Sequence, residues 1–273
     1  MTLAQQQSVS IARLRKLVVF DRLMARLTAV APDRWILKGG VALQYRVGFQ
    51  FRTTKDVDFG RGDEEAAATT DFLAAQSVDL RDYFILAVER TRQAGAAVRY
   101  HAAMQLAGRG FDDVIVDVGF GDPTTFEPDV VRGPDLLGFA DIPPVEVPAI
   151  SLEQHVAEKV HAYTRSYASG YPSTRVKDLA DLVTLSSKFS FDASRLRQAL
   201  ENTFASRDTH SLPPAFSSNP SEWRVAYRIL AAEAGLDPDV REAYDQTRTF
   251  LAPILDWGGK PDSGWDPTRR SWQ

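Results

Sequence analysis

The chain has 273 residues, 44% apolar and 25% charged, with a net charge of −4, which is the make-up of an ordinary globular protein with core enough for one large or two small domains. It contains no cysteine, which excludes disulfides, thiolate metal sites and cysteine nucleophiles and fits a reducing cytoplasm. No apolar run approaches the ~20 residues of a membrane span, and the N-terminal MTLAQQQSVSIARLRKL has no apolar stretch ahead of its charges, so a soluble, cytoplasmic protein without a secretory leader is expected.

Taken in order, the chain first predicts an amphipathic helix from Ile11 to Thr28. Leu14, Leu17, Phe20, Met24 and Leu27 form its apolar stripe, and Arg15, Arg22 and Arg26 share a side expected to face solvent. Trp35–Gly60 follows: a short apolar strand, a Gly-Gly turn, a brief helix, an arginine-bearing loop and a second strand carrying Asp-x-Asp. A helix is expected through DEEAAATTDFLAAQ from Asp63, with acids in its first turn. Tyr83–Val88 and Ala97–Leu106 read as strands. After the Gly108–Gly110 turn, Val114–Val118 reads as a buried central strand with an acid, Asp117, inside it.

From Asp122 to Pro148 proline and glycine predict mostly loop, with an extended piece at Val145–Val147, and the domain boundary is placed here. Ser151 and Gln154 form a capping box opening a helix to about Tyr167. VKDLADLVTLSSK puts Asp178 and Asp181 on one helical face. Further helices are expected at Asp192–Ser206, Ser221–Ala234 and Pro238–Leu255, a loop at Asp208–Pro220, and an extended tail over GGKPDSGWDPTRRSWQ. The expectation is an α+β protein. A catalytic lobe over residues 1–148 with a mixed sheet is followed by a helical domain over 149–273.

Side chains alternate along a strand, so Asp56 and Asp58 share a face and could hold divalent cations. The rival reading is a solvated or capping pair at a strand end. Asp117 would supply a third carboxylate for a metal or for activating a hydroxyl, unless a salt bridge to a nearby arginine takes it. The Gly39–Gly40 turn could cradle phosphate oxygens with Lys38 beside it, although no Walker loop is present. Lys159 and Arg165 on the helix after the boundary could neutralise a triphosphate, or could lie in water on a surface helix. Arg90, Arg92, Arg99 and Arg109 could hold RNA or be scattered surface charges. His155 and His161 lack metal-site spacing and read as structural or surface residues.

Four elements, in this order, resemble the AbiEii/AbiGii family of nucleotidyltransferase toxins, relatives of the DNA polymerase β-like nucleotidyltransferases. They are Leu37-Lys38-Gly39-Gly40-x-Ala42-Leu43, then Arg52-x-Thr54-x-Asp56-x-Asp58-Phe59, then Lys159 to Arg165 in EKVHAYTR, and Arg175-x-Lys177-Asp178-x-x-Asp181-Leu182. The resemblance spans Trp35 to Leu185. It implies a polymerase β-like catalytic lobe with Asp56 and Asp58 as Mg²⁺ (or Mn²⁺) ligands and Asp117 as third acid. It also implies Lys159 and Asp181 in the active site, and Lys38, Gly39, Gly40, Arg52, Lys159 and Arg165 on the nucleotide. Some members move a nucleotide from an NTP to the 3′ end of tRNA and are paired with an antitoxin. Broader nucleotidyltransferases carry serine where Gly40 stands, so contact there is through the backbone alone. A protein or small-molecule acceptor, a metal-dependent nuclease and a non-catalytic binding module are the alternatives. Nuclease sites favour Glu-x-Lys on a strand, whereas Glu158 and Lys159 are adjacent and on a helix.

Overall fold

In a computed structural model of the chain, residues 2–94, 97–121, 124–165, 175–216, 221–257 and 263–273 are described. They divide into two units, each with its own interior. The first comprises Met1–Phe49, Thr53–Pro123 and Pro128–Ile150; the second comprises Gln50–Arg52, Thr124–Glu127 and Ser151–Gln273.

The first unit is built on a seven-stranded mixed sheet of order β3-β4-β5-β2-β1-β7-β6. Its strands are β1 (Ile36–Lys38), β2 (Asp56–Arg61), β3 (Phe84–Ala94), β4 (Ala97–Leu106), β5 (Arg109–Phe120), β6 (Asp129–Arg132) and β7 (Glu146–Ala149). The pairs β2·β5 and β1·β7 are parallel and the rest antiparallel. Helices α1 (Leu3–Gln7), α2 (Ile11–Val30), α3 (Gly39–Val47) and α4 (Glu65–Gln76) complete it. The apolar residues of α2 and α4 form one core with Leu37, Val57, Phe59, Val98, Tyr100, Val114, Val116 and Val118 from the sheet. Strand alternation turns the intervening residues to the opposite face. Val114–Val118 is therefore buried on one face only, and Asp117 is half-buried rather than enclosed.

The loop expected over Asp122–Pro148 contains β6 and β7. Sheet edges and short strands carry little periodic signal, and the parallel pairing of β7 with β1 is set by distant residues. On α2 the solvent-facing arginine side holds only for Arg15. Arg22 and Arg26 are 4% and 1% exposed. Arg26 Nη2 donates to Asp82 Oδ1 at 2.7 Å and Nη1 to Oδ2 at 3.1 Å, while Arg22 pairs with Asp21 and reaches Asp82 at 3.4 Å. Charges enter a core when each has an oppositely charged, hydrogen-bonded partner.

The second unit contains α5 (Leu152–Thr164), α6 (Val176–Lys188), α7 (Ala193–Arg207), α8 (Arg224–Ala234) and α9 (Val240–Leu255). Ser151 caps α5 through a bond from the Gln154 N–H, but the capping box does not form. The Gln154 side chain instead donates to Thr203 and accepts from Thr125. The helix ends at Thr164, and Tyr167 lies outside the described residues. The expected tail is also corrected over 263–273; Gly258–Asp262 lie outside the described residues. Strands β8 (Phe191–Asp192), β9 (Gly264–Asp266) and β10 (Ser271–Trp272) form a small antiparallel sheet. Trp265 is 1% exposed and donates its indole N–H to the Ser186 carbonyl at 2.7 Å. The rings of Trp265 and Trp272 pack on Phe250 and on each other, which ties the segment to the helical unit. Among the described residues no helix is long and apolar enough to cross a membrane.

The Asp82 pairs make the first unit's stability pH-dependent. Burial would raise the Asp82 carboxyl, but the Arg26 hydrogen bonds, the Phe84 N–H and the charges of Arg26 and Arg22 outweigh it and hold it below the usual range. Its contribution is therefore full above about pH 4 and is lost as pH falls through the lower folded value. Asp82→Asn should lower unfolding free energy by about 3–5 kcal/mol at neutral pH. The gap to wild type, measured by urea denaturation, should narrow in strong acid.

Candidate active site

The step from β1 to α3 depends on Gly39. Its φ is +61°, and a Cβ built there would lie 2.0 Å from Asp58 Oδ2. Only glycine allows both the left-handed backbone and the approach of the carboxylate. Asp58 thus lies against the first residue of α3, where the helix dipole favours negative charge. Lys38 is the N-cap, and its side chain makes no capping bond to the helix. First-turn N–H groups have no acceptor within their own helix, so Gly39 and Gly40 open the kind of turn that can hold an anion.

The sheet register assembles the acids. Lys38 on β1 is opposite Asp58 on β2, Asp58 is opposite Asp117 on β5, and Asp117 is opposite Arg99 on β4. Registered partners share a face of the sheet, and the alternation that buries Val57 and Phe59 puts Asp56 on this face as well. Asp56 is exposed, Asp58 half-buried and Lys38 buried. Thr54, from the same motif, donates to the Asp56 carbonyl at 3.2 Å and to its Oδ1 at 3.4 Å.

Arg99 holds Asp117 with two parallel bonds, Nε to Oδ1 and Nη2 to Oδ2, both 2.7 Å. The expected alternative for Asp117, a salt bridge to a nearby arginine, is therefore present. Among the described residues no group of three or more His, Asp or Glu is arranged to hold a metal ion. Asp56 and Asp58 are hard oxygen donors of the kind Mg²⁺ and Mn²⁺ prefer, so the donor chemistry fits such a cation at these two residues.

In the second unit, α5, α6 and the loop residues Gln50–Arg52 gather the other motif residues. Asp181 is 0% exposed. It accepts from Arg52 Nε at 2.6 Å and Nη2 at 2.7 Å, and from Lys159 Nζ at 2.8 Å. Lys159 also reaches Asp178 at 3.3 Å, which Arg175 bonds at 2.8 Å. Burial would raise Asp181, but the charges of Lys159 and Arg52 and their hydrogen bonds hold it well below the usual carboxylate range. Burial would lower Lys159, yet Asp181 and Asp178 raise it well above the usual ammonium range. All three charges are thus fixed at neutral pH. Arg165 is exposed, caps the end of α5 and acts electrostatically on His210. His155 and His161 are buried, and His161 Nε2 bonds Thr209 at 2.8 Å.

The predicted site residues therefore form two groups. Lys38, Gly39, Gly40, Asp56, Asp58 and Asp117 share one face of the first unit, while Arg52, Lys159 and Asp181 are joined within the second. Sequence reasoning missed Arg99 as the partner of Asp117 and Asp178 as the partner of Lys159. Asp178 had a signal, its i,i+3 spacing from Asp181. Arg99 had almost none: a register shift between Met104 and Gln105 moves it opposite Asp117, and a bulge leaves no mark in composition.

Comparison with known proteins bears on the family and the fold. The family model for the nucleotidyl transferase AbiEii toxin of type IV toxin–antitoxin systems matches residues 22–253. Among solved structures the chain is similar to MenT4, a nucleotidyltransferase toxin from Mycobacterium tuberculosis, with 18% identity over 92% of this chain and 96% of that one and a TM-score of 0.57. JHP933 from Helicobacter pylori aligns at 15% identity over 91% of this chain and 92% of that one, with a TM-score of 0.48. None of the curated proteins matches. At such identities the structural likeness speaks to fold, whereas the family match covers most of the chain and carries nucleotidyltransferase activity, an NTP substrate and an antitoxin partner with it. The chain belongs to the AbiEii nucleotidyltransferase toxin family.

Proposed function

We propose that this enzyme is Mg²⁺-dependent and moves an NMP from an NTP to the 3′ end of tRNA in the cytoplasm, and that this modification is what its antitoxin counters. The observation that supports the reading most is the Asp58 carboxylate seated against Gly39, with Asp56 and Asp117 on the same sheet face. Asp56 and Asp58 would hold the cation, with Asp117 as third acid. When bound, the cation supplies positive charge against the triphosphate.

The chain's own groups would do the rest. The first-turn N–H groups at Gly39 and Gly40 would donate to the phosphate oxygens, with Lys38 adding charge. The acceptor hydroxyl oxygen forms a bond to the α-phosphorus as the bond to the β-phosphate oxygen breaks. Pyrophosphate leaves, and Asp117 would be the base that takes the hydroxyl proton. Arg52, Lys159, Asp181 and Arg165, which the family resemblance assigns to the active site and its nucleotide, belong to the helical unit. Because Arg52 and Lys159 are already bound to Asp181, their contribution is a fixed, preorganised charge rather than mobile cations.

Incubation with tRNA, Mg²⁺ and each α-labelled NTP should label the RNA, and Asp58→Ala should abolish labelling. RNA shortened without label would replace this reading with a nuclease. Label on protein or a small molecule but not on RNA would replace the acceptor. Gly39→Ala should cut transfer by about a hundredfold or more, since a displacement near 1 Å at the reacting centre has that effect. Its far-ultraviolet circular dichroism should stay that of wild type. Activity within a fewfold of wild type would place the phosphate turn elsewhere.

A further inference from the structure

Arg99 has no part in the chemistry above, yet it makes a two-bond contact with an acid of that face. The planar fork of a guanidinium matches both oxygens of a carboxylate, and Arg99 uses that match fully, with two 2.7 Å bonds to Asp117. Asp117 is in turn opposite Asp58 on the neighbouring strand, and Asp56 lies on the same face. The Asp117 hydrogen bonds are the largest influence raising the Arg99 pKa, and the charges of Asp56 and Asp58 act in the same direction. The guanidinium therefore lies in the field of all three carboxylates, which would otherwise repel one another across adjacent strands. Its side chain is 28% exposed and that of Asp117 is 17% exposed, so the pair is open to exchange with solvent species.

We propose that Arg99 is the built-in counter-ion of the acid face, a positioning residue that keeps Asp117 turned away from Asp56 and Asp58 until a divalent cation competes for it. This rests on the reading of Asp56, Asp58 and Asp117 as cation-holding acids. Each Asp117 oxygen already accepts an Arg99 N–H, so a cation drawing on this carboxylate has only the remaining lone pairs to use and meets the guanidinium charge beside them. Arg99 thereby weakens cation binding and makes the assembly of three acids conditional on that binding.

Mn²⁺ titration of the whole, nucleotide-free protein, followed by water-proton relaxation, tests this without any activity measurement. Arg99→Gln should bind Mn²⁺ about tenfold more tightly than wild type, the scale of one charged hydrogen-bonded contact. Arg99→Lys, which keeps the charge but loses the fork, should fall between them. In thermal melts Arg99→Gln should be the less stable protein without metal and should gain more from Mn²⁺. Equal or weaker Mn²⁺ binding by Arg99→Gln, with binding lost in Asp58→Asn, would overturn the counter-ion role alone. Mn²⁺ binding that Asp58→Asn leaves unchanged would overturn the metal reading, and the counter-ion role with it.

Discussion

Residue 39 carries no side chain, and the Asp58 carboxylate fills the volume that one would take. The backbone there must turn left-handed to leave β1 and start α3 at once, which glycine does without steric cost. Strand β2 lies beside β1, so the turn is within reach of its second acid. Strand β5 lies on the other side of β2, so the same acid is also beside Asp117. A phosphate-type turn, an acid pair and a third acid thus come from one local geometry, and the strand order carries it across the sheet.

The helical unit solves a different problem. Burying Asp181 alone would be prohibitive, and it is tolerated because three hydrogen bonds from two cations converge on it. Charges alternate outward from there, with Lys159 between two aspartates and Asp178 between Lys159 and Arg175. Such a network has little freedom to reorganise. The residues that the family motifs single out are thus the same ones that hold α5, α6 and the arginine loop together.

Much of this was legible in the sequence. The alternation in Asp56–Gly60 and the glycine step at 39 announced the strand, the turn and the face that the acids share. The helical periods of α6, α8 and α9 were strong, because a buried stripe repeats along each of them. What could not be read was set by partners far along the chain. The burial of Arg22 and Arg26 depends on Asp82, and the order in the C-terminal residues depends on the carbonyls that Trp265 and Trp272 find at Ser186 and Phe250. The hold of Arg99 on Asp117 depends on a one-residue irregularity in β4 and β5.

Gln50–Arg52 belong to the helical unit, although the chain on both sides of them belongs to the sheet unit. Phe51 is fully enclosed there and Arg52 closes the Asp181 network, yet the acid-bearing strand begins only four residues after Arg52. The two units are therefore not modules that recombination could exchange by a cut near Ile150. A helical half moved to another host would leave behind the arginine that neutralises its most buried carboxylate. A sheet half taken alone would carry a phenylalanine and an arginine evolved for someone else's interior. An exchange that keeps the helical half intact has to carry Gln50–Arg52 with it.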